Sequence, residues 1–306
     1  AAAGALGCFE ENSSHEILGK LLALPTEERD KKCKAVLKNS FGMGHGSVGD
    51  QGYFIFSIED LPRAATLQLC LPEFASHLQQ SLRRAKPERG FYLPEVIKNH
   101  RIFGPLANDI LSETFAFYEK MTKAGIPGED ARYPLPLYTK TNIQTALNAR
   151  ELCHLFIMSS KYDIPSVVRS VIVDMLFLAK KRAPYLFEDF GANYEQLAWY
   201  PSSQLYTENN KTMMELIGMS NVNHNVVMLG QPILNKAITT ETLREAVRNR
   251  NEAELANLKH VHFEFLAKMS LTCFHQATRQ RTWNQSVESV YDAARRGHMF
   301  ILESVR

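Results

Sequence analysis

The chain has 306 residues, of which 45% are hydrophobic and 22% are charged, and its formal net charge is +2. That length suffices for one large domain or two ordinary ones. A net charge so close to zero gives no electrostatic case for binding to nucleic acid or to an anionic membrane surface. The sequence has no apolar run of 18 residues, so no membrane span is predicted. The five cysteines are scattered, which argues against a disulfide framework or a zinc site and predicts a reducing, cytoplasmic setting.

The first 200 residues are predicted to be mostly helical with a small amount of sheet. A helix capped by Thr26 is predicted to end before Gly42, and the aromatic and β-branched run at 52–58 is predicted to be a strand. A helix is predicted over 61–84, with Pro72 kinking or ending it. Three more helices are predicted from apolar residues at helical spacing, over 108–125, 141–160 and 164–184.

The later part of the chain repeats the order helix, strand, helix. These elements are predicted over 239–259, 260–266 and 268–297. A shift of 208 residues aligns Gln68 with Gln276 and Ser81 with Ser289, which indicates an internal duplication. The predicted organisation is therefore a first copy at 1–200 and a partial second copy at 201–306.

A glycine-rich segment, Gly44-His45-Gly46-Ser47-Val48-Gly49, matches the G-x-G-x-x-G dinucleotide fingerprint. That fingerprint needs a strand before it and a helix after it, so that a helix N-terminus meets the pyrophosphate. Here a predicted helix precedes the segment and a predicted strand follows it, so the dinucleotide interpretation is rejected. A turn that positions His45, Ser47 and Asp50 remains as the interpretation.

Two other polar clusters carry side chains that could bind a metal or a phosphate. His260 and His262 alternate onto one face of a strand, but no third ligand stands at a suitable spacing, so no metal site is predicted. Arg279 and Arg281, with Gln276 one helical turn earlier, could hold a phosphate and contact a base edge. A solvated basic helix face is the alternative for these arginines.

Several long strings resemble the flavin-dependent thymidylate synthases. They include "GHGSV" at 44–48, "GIPGEDARYPLPL" at 125–137 and "NIQTALNAR" at 142–150, within a resemblance that spans roughly 44–190. The resemblance implies an α+β fold with a small antiparallel sheet and long helices. It also implies an enzyme that converts dUMP to dTMP with methylenetetrahydrofolate and reduced FAD, with NADPH reducing the flavin.

The resemblance also implies roles for individual residues. The positions that match flavin-binding residues of the family are His45, Ser47, Asp50, Asn148, Arg150 and, in place of an asparagine, His154. Those that match nucleotide-binding positions in the first copy are Gln68, Ser81, Arg83 and Arg132.

The family hallmark, Arg-His-Arg followed by Ser-x-Arg, is divided between the two copies. The first copy keeps Ser81 and Arg83 but has Leu71-Pro72-Glu73 in place of the basic triplet, and Ser159 or its neighbour replaces a further arginine. The second copy has Arg279 and Arg281 in the triplet but ends in Ser289-Val290-Tyr291.

Because the family assembles each site from different subunits, one composite site is predicted. Its catalytic residues would be Ser81, Arg83, Arg279 and Arg281, with Gln276 and Arg279 also binding dUMP. The chain would act as a homo-oligomer or as a pseudo-dimer of its two copies. The alternative is a catalytically inactive homologue that serves as a nucleotide-binding or structural partner.

Overall fold

The structure is a computed structural model of the chain. It describes residues 1–160, 164–188, 226–228, 240–251, 265–278, 285, 287–295, 297 and 303–305. Two compact units are present: Ala1–Thr212 with His275–Arg306, and Met213–Phe274. Among the described residues, no helix is both long and apolar enough to cross a membrane.

The first unit begins with three helices. They are α1 (Ala2–Leu6), α2 (Ser14–Ala23) and α3 (Thr26–Asn39). A capping box starts α2, because Ser13 Oγ accepts a hydrogen bond from the Glu16 N–H while Glu16 accepts one from the Ser13 N–H. The helix predicted from Thr26 is confirmed, but Thr26 is its first residue and Pro25 holds the cap position.

An antiparallel sheet of three strands lies at the centre of this unit. The strands are β1 (Tyr53–Pro62), β2 (Ala75–Gln79) and β3 (Lys140–Asn148), in the order β1-β3-β2. The strand predicted at 52–58 is confirmed and continues to Pro62. The helix predicted over 61–84 is wrong for most of its length, because only α5 (Arg63–Leu69) is helical and the edge strand β2 follows it.

The first half of the helix predicted over 141–160 is also wrong. Residues 140–148 form β3, in which Thr141, Ile143, Thr145 and Leu147 are buried and alternate with more exposed residues. That period of two belongs to a strand. The helix α9 (Ala149–Ser159) begins only after Asn148.

Helices make up much of the rest of the first unit. The short helices of the unit are α4 (Gly46–Gly49), α6 (Glu95–Lys98) and α8 (Gly128–Ala131). The two longest are α7 (Phe103–Lys123) and α10 (Ser166–Arg182). Leu152 and Leu155 of α9 and Ile172 of α10 are fully buried, so these helices share a core with the inner face of β3. A small antiparallel sheet with long helices is therefore confirmed.

The later elements that the structure describes are short strands and helices. They are β4 (Val226–Met228), α11 (Thr240–Asn249), β5 (Phe265–Ala267), α12 (Leu271–Ala277) and α13 (Val290–Arg295). β4 pairs antiparallel with β5. The continuous helical stretch predicted over 268–297 is wrong, because residues 287–289 are not helical. His260, His262, Arg279 and Arg281 lie outside the described residues.

Candidate active site

The turn that contains α4 and the start of α9 form one cluster, which we call the glycine-turn cluster (residues 45–50 and 148–154). Arg150 Nη1 lies 3.3 Å from Asp50 Oδ2, an ion pair across 100 positions of sequence. A Cβ added to Gly46 would come within 2.9 Å of Arg150 Nε, so the guanidinium lies directly over the glycine. The fold therefore brings together Asp50 and Arg150, as the resemblance implied, with His45 and Ser47 in the same turn.

Glycine is also required at the other end of this turn. Gly49 lies against the ring of Phe41, which is 2% exposed, and a Cβ at position 49 would collide with that ring. The turn is thus packed onto the core as well as onto Arg150, which fixes its position.

Asn148 and His154 position the beginning of α9. Asn148 Oδ1 accepts a hydrogen bond of 2.8 Å from the Glu151 N–H and so caps the helix. His154 Nδ1 lies 3.2 Å from Glu151 Oε1, and the two side chains are 6% and 2% exposed. Glu151 was missed in the sequence, although its spacing of three from His154 in a helix was a usable signal.

The predicted nucleotide-binding residues form a second group, the nucleotide segment (Gln68, Ser81, Arg83 and Arg132). Gln68 lies on α5 and is 1% exposed, and neither atom of its amide has a hydrogen-bond partner among the described residues. A buried amide without a partner costs about 1–3 kcal/mol. Such a group is expected where a ligand supplies the missing hydrogen bonds.

Ser81 and Arg83 follow the end of β2, and Arg132 follows the end of α8. Ser81 Oγ accepts a hydrogen bond of 3.3 Å from the Arg83 N–H, and Arg132 Nε donates one of 2.9 Å to the Glu129 carbonyl. The pKa of Arg132 is lowered, chiefly by burial, and the positive charge of Arg83 lowers it further. Two guanidinium groups that lie close enough to repel each other create a site that favours an anion.

The departures from the family hallmark are visible in the structure. Leu71-Pro72-Glu73 connects α5 to β2, with Pro72 buried and Glu73 exposed. Ser159, which with its neighbour was predicted to replace a family arginine, is fully buried and donates from Oγ to the Phe156 carbonyl at 2.8 Å. Arg169 of α10 donates from Nε to the Ser159 carbonyl at 3.0 Å, a contact that sequence reasoning missed.

The second set of predicted residues is described in part. Gln276 is the sixth residue of α12, as Gln68 is of α5, and a shift of 208 residues superimposes the bounds of the two helices. The Tyr291 N–H donates to Ser289 Oγ at 3.2 Å, the same contact that the Arg83 N–H makes with Ser81. The predicted convergence of Arg279 and Arg281 on Ser81 remains a prediction, since both lie outside the described residues.

Comparison with known proteins identifies the relatives of the chain. The family model "Thymidylate synthase complementing protein" matches residues 2–185. The flavin-dependent thymidylate synthase of Geobacter sulfurreducens is 34% identical over 165 residues, which cover 51% of this chain and 69% of that protein. The one from Saccharolobus solfataricus is 32% identical over 165 residues, 54% of this chain and 64% of that protein. The chain thus spans about two thirds of the length of these curated relatives, and the resemblance seen in the sequence is confirmed.

A solved structure agrees with the fold. The UMP/dUMP methylase PolB from Streptomyces cacaoi, bound with 5-Br dUMP, is similar with a TM-score of 0.51 at 17% identity. The match covers 62% of this chain and 88% of that one. At this identity the likeness supports the architecture alone.

Proposed function

Because this chain belongs to the thymidylate synthase complementing protein family, we propose that it is a divergent flavin-dependent thymidylate synthase. Its reaction would be the reductive methylation of dUMP to dTMP, with methylenetetrahydrofolate as the carbon donor and NADPH as the source of electrons. The observation that carries the proposal is that the positive charge of Arg83 lies near enough to Arg132 to lower its pKa. The nearby carboxylates of Glu129 and Asp130 partly offset the charge of Arg132, but neither guanidinium forms a salt bridge with a carboxylate of the described residues, so both can contact a phosphate.

The nucleotide segment provides contacts at both ends of dUMP. Arg83, Arg132 and the Ser81 hydroxyl are suited to the phosphate, because charge-assisted hydrogen bonds are about twice as strong as neutral ones. The amide of Gln68 can both donate to and accept from a uracil edge, which has a carbonyl on each side of an N–H. Substrate binding would therefore satisfy the buried amide and separate the two positive charges with a negative one.

The glycine-turn cluster fits FAD. Arg150 carries several N–H donors in a planar guanidinium beside Asp50 and Gly46, a group suited to an electron-rich ring system. His45, Ser47 and Asn148 would add neutral hydrogen bonds. Bound FAD would supply the redox chemistry, while these side chains hold and orient the ring system.

A composite site between the two copies is part of the proposal. Two similarities support it. Helices α5 and α12 have the same length and carry Gln68 and Gln276 at the same position, and Ser81 and Ser289 each accept a hydrogen bond from the N–H two residues later. On this basis Arg279 and Arg281 would replace the basic triplet that Leu71-Pro72-Glu73 has lost, with Gln276 binding dUMP beside them. We further propose a homo-oligomer or a pseudo-dimer, in a reducing, cytoplasmic setting that keeps the buried thiols of Cys70 and Cys153 free.

An inactive homologue that binds nucleotides or a partner protein is the second candidate function. The observation that favours it is Glu73, an exposed carboxylate in the place of a family arginine. The two candidates differ in turnover, since an inactive homologue could bind dUMP without making dTMP.

The test is a titration of the purified protein with FAD, followed by dUMP, with the flavin absorbance spectrum as the readout. Flavin binding with a spectral change on dUMP, and dTMP formation when NADPH and methylenetetrahydrofolate are added, would support the synthase. Binding of dUMP with no dTMP would support the inactive homologue. A folded protein that binds neither ligand would contradict the synthase and the nucleotide-binding role, and would leave the inactive homologue only as a partner of another protein.

A further inference from the structure

A short 3-10 helix formed by Glu303–Val305, which we call the clamp segment, contacts α8 in the first unit. Ser304 Oγ donates a hydrogen bond of 2.6 Å to Asp130 Oδ2 of α8, across 174 positions of sequence. Val305 packs against a buried apolar cluster that includes Ala131 of the same helix. The clamp segment, which belongs to the predicted second copy, therefore holds α8 through one polar and one apolar contact.

The helix α8 in turn fixes the direction of Arg132, which follows it directly. The Arg132 N–H donates to the Gly128 carbonyl at 3.3 Å, and Arg132 Nε donates to the Glu129 carbonyl at 2.9 Å. Arg132 is thus attached to α8 through both its backbone and its side chain. A Cβ added to Gly128 would lie 3.8 Å from the Arg83 carbonyl oxygen, so α8 also lies close to the backbone of the second arginine. A displacement of α8 would therefore move Arg132 relative to Arg83.

The carboxylate that the clamp segment engages also acts on Arg132. The negative charge of Asp130 partly offsets the positive charge of the guanidinium two residues later, yet no salt bridge joins these two described side chains. A carboxylate that turned onto the guanidinium would compete with a phosphate, because both anions suit the same bidentate contact. The hydrogen bond from Ser304 occupies one oxygen of Asp130 and so favours the arrangement in which Arg132 is open to a ligand.

We propose that Ser304 and Val305 are positioning residues for the nucleotide phosphate, which hold α8 and Asp130 so that Arg132 faces the ligand. This inference rests on the proposed function. A side chain that is already held in its binding direction loses less conformational freedom when the ligand binds, so the clamp segment should raise the affinity for dUMP. The alternative is that the clamp segment only adds to the stability of α8, in which case its loss would change unfolding and leave dUMP affinity unchanged.

The experiment measures the dUMP dissociation constant of the full chain by calorimetry. Ser304→Ala should weaken dUMP binding by about two- to fivefold, the range expected for one exposed hydrogen bond, and Ser304→Thr, which keeps a hydroxyl, should restore it. Val305→Ala, which shortens the apolar contact, should weaken it by a similar factor. The matched control is Ser170→Ala on α10, which removes a hydroxyl that donates to the Val167 carbonyl at 3.1 Å and should leave dUMP affinity unchanged.

A double-mutant cycle shows whether the effect acts through the guanidinium. In an Arg132→Ala background, Ser304→Ala should weaken dUMP binding no further, because the group that it positions is gone. An equal loss in both backgrounds, or full dUMP affinity in Ser304→Ala and Val305→Ala with only the urea unfolding free energy lowered, would overturn the positioning role alone. If the unaltered, folded protein does not bind dUMP, the proposed function fails together with the positioning role.

Discussion

The glycine-turn cluster and the nucleotide segment differ in how their polar side chains are paired. In the first, polar side chains pair within the chain, as Arg150 forms an ion pair with Asp50 and the His154 ring lies within hydrogen-bond distance of Glu151. In the second, like charges are adjacent at Arg83 and Arg132, and the amide of Gln68 is buried without a partner among the described residues. The first group keeps its shape through its own contacts, while the second has groups that a bound anion and ligand hydrogen bonds would satisfy under the proposed function.

This difference has an energetic consequence. Partly exposed ion pairs such as Arg150–Asp50 contribute only about 0–1 kcal/mol, so their value lies in orientation. An unpaired buried amide costs more than such a pair gains. The nucleotide segment should therefore respond to substitution mainly in binding, and the glycine-turn cluster in stability as well.

The largest effect is expected for Arg83→Ala. Loss of a charge-assisted contact to the phosphate should weaken dUMP binding by roughly 1.5–3 kcal/mol, with FAD binding unchanged. Arg84→Ala, which removes an exposed guanidinium one residue further on, is the control and should have little effect. Calorimetric titration of dUMP measures both variants.

The same assay tests the composite site. If the second copy supplies the missing basic triplet, Arg279→Ala should weaken dUMP binding by a similar roughly 1.5–3 kcal/mol. Unchanged affinity in both Arg83→Ala and Arg279→Ala would exclude a composite site.

Gln68→Leu sharpens the comparison, because stability and binding should change in opposite directions. Replacing a buried amide that has no partner by an apolar group of similar size should stabilise the free protein by about 1 kcal/mol. The same change should weaken dUMP binding. Urea unfolding and dUMP titration give the two values.

Its control is Gln79→Leu. Gln79 Nε2 donates to Thr66 Oγ1 at 3.0 Å, so this substitution breaks a hydrogen bond and should destabilise the protein by about 1 kcal/mol. Equal destabilisation by the two substitutions would mean that the Gln68 amide is satisfied in solution, and the distinction between the two regions would fail.

Elements set by local sequence patterns were predicted correctly, whereas those that depend on contacts between residues distant in sequence were not. The strand at 52–58 and the helix from Thr26 follow from local patterns. The strand β3 was missed because its alternation of Thr141, Ile143 and Thr145 runs directly into α9, and the cap at Asn148 was not recognised as a helix start. The edge strand β2 is short, and its pairing with β3 is a tertiary property.

The site was predicted through the family resemblance more than through physical reasoning. The pairing of Asp50 with Arg150 joins residues 100 positions apart, which no local pattern encodes. The burial of Glu151 was equally hidden, because an acidic residue in the first turn of a helix is ordinarily a solvated complement to the helix dipole. The assignments of Arg279 and Arg281 remain predictions.

Asn148→Ala should destabilise the protein by about 1 kcal/mol, because α9 loses its cap. Asn148→Ser keeps a capping hydroxyl and should restore most of that stability. If Asn148 also contacts FAD, both variants should bind it more weakly, since each lacks the amide. Thermal unfolding and FAD titration separate the two roles, and full FAD affinity in both would leave Asn148 a structural residue only.

The smallest effect is expected for Glu73→Arg. Reversing an exposed charge near a phosphate site should strengthen dUMP binding by about 0.2–1 kcal/mol, with roughly half of that for Glu73→Gln. The gain should shrink as salt is added, because exposed charges are screened over about 8–10 Å near physiological ionic strength. Equal or weaker binding by Glu73→Arg would mean that the connector 71–74 lies away from the nucleotide. In that case a basic triplet in the connector would not contact the phosphate, and Arg83 and Arg132 would bind the anion without it.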